Sequence, residues 1–161
     1  SKLAAIQEHL LNEALFPTQL PCHYAALTGP FDLPQGGRLT YFPLEHPGGS
    51  LGYRLDWPRH SLAHVTHTTA PPPAHHLNRI HGVDVLLHEC YFPDGCEELA
   101  ERTGHSCTSA VAETARAAGV GQLILVHCNP LLSKPDPIEL PAARRIFAST
   151  EVGRDRMVVE F

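Results

Sequence analysis

Four apolar runs in this chain end in a histidine: Leu44-Glu45-His46, Val65-Thr66-His67, Leu86-Leu87-His88-Glu89 and Leu123-Ile124-Leu125-Val126-His127. A further histidine, in Thr103-Gly104-His105-Ser106, stands where a helical pattern opens. Short runs of branched apolar residues read as buried strands, and an imidazole at a strand tip is held rigidly enough to ligate a metal. The repetition constrains the fold more than any other feature: strand ends must converge, and the chain reads as part of a metal site.

Composition narrows the class. With 161 residues and 43% hydrophobic content, the chain is expected to form a single domain with a buried core. A net charge of −5 supplies no basic field for nucleic acid. No apolar run approaches a membrane-spanning length and no signal pattern opens the chain, so a soluble, cytoplasmic protein is expected, with no membrane contact. The five cysteines, Cys22, Cys90, Cys96, Cys107 and Cys128, are odd in number and lack a C-x-x-C pair, which argues against a disulfide framework. Cys90, Cys107 and Cys128 sit in apolar surroundings and read as buried small hydrophobes.

Periodicity predicts the elements. Leu3, Ile6, Leu10, Leu11 and Leu15 suggest a helix over 2–16 that stops at Pro17. Residues 17–38, rich in proline and glycine, read as loop. Strands are predicted over 38–44, 51–57 and 61–68, with connections short enough for antiparallel pairing. A short helix through Leu77 and Ile80 follows. Residues 83–91 and 122–128 are almost continuously apolar, as strands covered by helices are. Between them a helix through Ala110 and Ala117 stops at Gly119 and takes its cap from Ser106 or Thr108. A helix over 141–147 and a closing strand over 157–161 complete a layered α/β chain. His64, His75, His76 and His81 are expected on the surface, and Asp94, Glu97, Glu98 and Glu101 on a solvated helix face.

The motifs His46-Pro47-Gly48-Gly49-Ser50-Leu51-Gly52-Tyr53-Arg54, Thr66-His67-Thr68, Leu87-His88-Glu89-Cys90-Tyr91-Phe92, Gly104-His105-Ser106 and Leu125-Val126-His127 carry a resemblance. In order and spacing they resemble the C-terminal part of metallo-β-lactamase-fold hydrolases, in the ribonuclease Z and phosphodiesterase branch, over roughly residues 40–161. The resemblance implies the C-terminal half of an αββα sandwich. It implies that His46 is a ligand of a first metal and His127 of a second, with zinc as the metal, one or two ions, and manganese as the alternative. It also implies that Glu89 orients His105, which assists the leaving or attacking oxygen, so these two form the catalytic pair.

Two departures qualify it. Where the family has a bridging aspartate, this chain has His67, which offers one lone pair where a carboxylate offers two oxygens. The family's His-x-His-x-Asp-His signature does not occur in the chain. Three explanations stand for that absence: a lost N-terminal half, a site completed by a second copy or a partner chain, or a degenerate, non-catalytic relative that binds metal or oligomerises. Only twenty residues separate His46 from His67, an interval in which tRNA-processing members of the branch insert a long arm. The implied substrate is therefore a small phosphodiester or cyclic nucleotide, with tRNA disfavoured and with lactam, thioester and other ester hydrolysis left open, since a fold hosts several chemistries.

Overall fold

The computed structural model describes residues 2–18, 24–71 and 73–161; Cys22, Pro21 and Pro72 lie outside them. Seven strands form one sheet in chain order: β1 (Phe31–Leu33), β2 (Gly37–Leu44), β3 (Ser50–Asp56), β4 (Ser61–Val65), β5 (Val85–Glu89), β6 (Gln122–Val126) and β7 (Thr150–Val152). The first four pair antiparallel and the last four parallel. Since β2 and β4 flank the antiparallel β3, the strands β2, β4, β5 and β6 all point the same way. Their carboxyl ends therefore lie along one edge of the sheet, and His46, His67 and His127 follow β2, β4 and β6 there.

Each parallel connection must cross over the sheet, and these crossovers carry helices. Helix α2 (Leu77–Ile80) lies between β4 and β5, α3 (Glu97–Thr103) and α4 (Thr108–Ala118) between β5 and β6, and α5 (Leu140–Ile146) between β6 and β7. Strand alternation sends Ala63, Val65, Leu86, Leu123 and Leu125 to one face, where they pack against Ile80 of α2, Val111, Ala112, Ala115 and Ala118 of α4 and Ala143 of α5. The alanines of α4 let the helix approach the sheet closely. The left-handed glycines Gly104 and Gly119 end α3 and α4, each donating its N–H back to the last turn. The fold is a mixed α/β sheet with helices on one face, as expected.

Several elements depart from the sequence reading. At the N-terminus, α1 (Lys2–Ala5) passes into a π-helical turn over Ile6–Leu10 and ends there, well short of residue 16. Ile6, Leu10 and Leu15 are 42%, 56% and 59% exposed, so these residues of the apolar stripe lack the burial that stabilises a longer helix. Residues 17–38 contain the edge strand β1. The predicted closing strand over 157–161 is absent, because Met157 N–H turns back to the Arg154 carbonyl, and β7 takes the place beside β6. Neither Ser106 nor Thr108 caps α4: Asp94 reaches across to accept from Ser109 N–H at 2.8 Å and Oγ–H at 2.6 Å. His76 is not at the surface but 3% exposed, its Nε2 3.1 Å from Nε2 of the fully buried His88. Cys90 and Cys107 are buried as expected, and burial pushes both thiols up to about 12. Among the described residues no helix is long and apolar enough to cross a membrane.

Candidate metal centre

The strand-end histidines meet. Nδ1 of His67 lies 3.3 Å from Nε2 of His46, and single ligand atoms of His46, His67 and His105 lie within 4.8 Å of one another. The ring of His127 is 4.4 Å from that of His67 and 5.5 Å from that of His105, centre to centre. All four imidazoles therefore line one site at the carboxyl edge of the sheet, the usual ligand position in open parallel sheets.

Local backbone and hydrogen bonds set their directions. His67 and His127 adopt positive φ angles of 56° and 52° where β4 and β6 stop, a conformation that costs a non-glycine residue stability and turns each ring out of its strand. In the assigned network His46 Nδ1–H donates to the Pro47 carbonyl at 2.8 Å, which leaves its Nε2 lone pair facing the cluster. Glu89, fully buried, receives His105 Nδ1–H at 3.1 and 2.9 Å, Thr68 N–H at 2.7 Å and Ser106 N–H at 3.2 Å. One carboxylate thus holds the loop after β4 and the turn before α4 together, and fixes the tautomer of His105 so that Nε2 points into the site. The Ser106 hydroxyl reinforces the junction by donating to the Thr68 carbonyl at 2.6 Å.

Burial pushes the Glu89 carboxyl up to about 7, against the opposing pull of the Thr68 and Ser106 amides. The three N–H donors converging on it match an ionised carboxylate. His67, His105 and His127 are all held below the usual histidine range, first by burial and then by the charge of neighbouring imidazoles: His46 acts on all three, His105 also on His67 and His127, and His67 also on His127. His67, His105 and His127 are therefore poised as neutral imidazoles, the form that donates a lone pair to a metal. With imidazole nitrogens as its donors, the set suits zinc better than an ion that prefers oxygen.

The strand-end pattern marked His46, His67 and His127, the family resemblance implied His105 and Glu89, and the fold brings all five together. It adds Tyr91, whose ring stacks on His105 at 4.3 Å and 15°. Strand alternation carried that signal, since Tyr91 lies two residues beyond Glu89. The roles of Thr68 and Ser106 as backbone donors left no trace in the sequence. A cavity of about 630 Å³ opens beside His46 and His105.

The sequence pattern of the beta-lactamase superfamily domain matches residues 3–128, a stretch that includes all five site residues. This chain belongs to that superfamily. It is ribonuclease Z-like within it: it is 42% identical over 79 residues to a ribonuclease Z of Methanothermobacter thermautotrophicus, a match covering 49% of this chain and 25% of the relative. The chain thus spans about a quarter of that relative's length. Its fold is that of the metallo-beta-lactamase fold protein YhfI from Bacillus subtilis, with a TM-score of 0.72, 19% identity, and 81% of this chain and 52% of the other covered. Zn(2+)-bound PqqB from Methylobacterium extorquens gives 0.67 at 19% identity, covering 99% of this chain and 59% of the other. A ribonuclease Z relative lends no support to the expectation that disfavoured tRNA.

Proposed function

We propose that this chain is the histidine-bearing portion of a metal-dependent hydrolase of the phosphodiesterase type. The observation that carries the reading is the convergence of four imidazoles around a buried Glu89–His105 pair. In this reading His46, His67 and His127 hold zinc, and Glu89 and His105 form the catalytic pair. His67, with its single lone pair, favours one ion over a tightly bridged two. A bound zinc supplies water of lowered pKa, so that hydroxide is available near neutral pH.

The chain's own groups do the rest. Glu89 holds Nδ1–H of His105, so that Nε2 can give a proton to the leaving oxygen, and its charge stabilises the imidazolium that precedes the transfer. Tyr91 stacked on the ring fixes its plane. His46 and His67 each stand two residues beyond the end of a strand, β2 and β4, and Glu89 holds the loop after β4 through Thr68 N–H. The substrate proposed for this arrangement is a small phosphodiester or a related ester.

The test is release of nitrophenolate from bis(4-nitrophenyl) phosphate by the zinc-loaded chain. Activity should vanish with His67→Ala together with zinc, whereas His105→Ala should lower turnover far more than zinc content. Equal loss of both in His105→Ala would sink the role given to that residue. A second reading, a non-catalytic metal-binding or oligomerising module, is favoured by the imidazole at position 67. Tight zinc binding with no hydrolysis would select it.

A further inference from the structure

Two buried imidazoles have no part in the site chemistry described so far. His88 of β5 is fully buried, opposite Val65 of β4 and Leu125 of β6, and His76, the residue before α2, is 3% exposed. Burying a polar group is costly unless it is hydrogen-bonded, and the bonds of this pair have a direction. His88 Nδ1 lies 2.8 Å from the Glu89 carbonyl, which can only accept, so Nδ1 carries the proton. Its Nε2 then accepts from His76 Nε2–H at 3.1 Å. Both rings are neutral in this arrangement, and burial holds both below the usual histidine range.

Strand direction explains why the Glu89 carbonyl needs this donor. Cys90 N–H turns to β6, where it meets the Val126 carbonyl at 2.9 Å, so by alternation the Glu89 carbonyl turns to β4. By then β4 has ended: its last residue, Val65, pairs with His88, and Thr68 N–H beyond it goes to the Glu89 carboxylate instead. His88 supplies the hydrogen bond that a longer β4 would give. The peptide unit joining Glu89 to Cys90 is thus held at its carbonyl by His88 and at its N–H by Val126, and that unit sets the direction in which the Glu89 side chain leaves the strand.

We propose that His88 is a positioning residue of the hydrolytic site: through the Glu89 carbonyl it aims the carboxylate that holds His105, while His76 fixes the tautomer of His88. The proposal rests on the reading of Glu89 and His105 as the catalytic pair. An apolar side chain could fill the same core volume, but it would leave the Glu89 carbonyl buried without a donor and the peptide free to turn.

Asparagine and glutamine separate this role from a purely structural one, because the amide nitrogen of Asn overlies Nδ1 of a histidine and that of Gln overlies Nε2. His88→Asn keeps the donor to Glu89 and abandons His76; His88→Gln does the reverse. Each strands one buried polar group, so both should lower Tm alike. With bis(4-nitrophenyl) phosphate and the zinc-loaded chain, kcat should fall about tenfold in His88→Gln, with KM and zinc content unchanged, and His88→Asn should recover most of that loss. Equal kcat in the two variants overturns the proposal. A second readout needs no turnover: the Nδ1–H proton of His105, identified by its loss in His105→Ala, should keep its downfield NMR position in His88→Asn and move or broaden in His88→Gln. An unmoved resonance in both overturns the proposal. If the parent chain hydrolyses nothing, the hydrolase reading fails, and the NMR comparison alone decides whether His88 aims Glu89. If neither His88 variant folds, His76→Leu replaces them: it frees His88 to change tautomer and should move the same resonance, and no movement overturns the proposal.

Discussion

Replacing Gly104 by alanine should injure both stability and metal binding, and the structure allows the two effects to be separated. Gly104 ends α3 at a φ of +77°, and an added Cβ would lie 2.4 Å from Cδ of Pro47, 3.0 Å from Cδ2 of His46 and 3.3 Å from Cα of His46. Forcing alanine into the left-handed region costs about 1–2 kcal/mol. The collision adds about 1–3 kcal/mol of overpacking, because the atoms met belong to a proline ring and to backbone rather than to a flexible side-chain end. Gly119 is the natural control: it ends α4 at +62° with the same pattern of amide bonds, yet its Cβ would meet nothing within 4 Å. Urea unfolding of both variants, with m unchanged, should therefore show Gly104→Ala less stable than Gly119→Ala by about 1–3 kcal/mol. Zinc affinity, read by competition with a chromophoric chelator, should fall at least about tenfold in Gly104→Ala only, as expected when a ligand loses its supporting contacts. Equal destabilisation with unchanged zinc affinity in both variants would refute the reasoning, since it would mean that His46 is free to shift at no cost.

Further outcomes follow from other contacts. Glu89→Gln puts an amide where three N–H groups need an acceptor, so it should cost about 1–3 kcal/mol, seen as a lower Tm, and lower turnover as well; an unchanged Tm would contradict the junction described. Burial holds His76 at about 4 and His88 at about 3, below the ordinary 6.5 of the unfolded chain. The unfolded state then binds more protons throughout that window, and stability should be intact above 6.5 and fall as pH drops towards 4 and 3. His88→Leu should flatten the slope of urea midpoint against pH between 6.5 and 4, and a slope identical to that of the parent would count against the pair. Zinc at a hundredfold excess over its Kd should add about 2.7 kcal/mol of stability, reversed by chelator, and His67→Ala should lose that increment. No change in Tm with zinc would remove the metal centre itself.

Much of this was written in local pattern. The apolar runs at β2 to β6 and the glycine that stops α4 follow from steric and hydrophobic rules acting over a few residues, so the sequence alone locates them. The same rules located His46, His67 and His127 at the ends of strands. They misjudged the N-terminal helix and the 157–161 strand, because periodicity predicts an element only if a partner buries its apolar side or pairs its backbone: Ile6, Leu10 and Leu15 stay exposed, and β7 holds the place beside β6. They also placed His76 on the surface, where only its approach to His88 from a separate connection shows otherwise.

The tertiary structure decided the site. Whether histidines at the ends of β2, β4 and β6 meet depends on strand order and direction, and these are fixed by pairings between distant residues. That Glu89 gathers Thr68, His105 and Ser106 depends on backbone amides, which every residue carries and which sequence therefore cannot mark. The chemical character of the centre was determined by side-chain identity along the chain; its geometry came from long-range hydrogen bonds that exist only once the crossovers have closed.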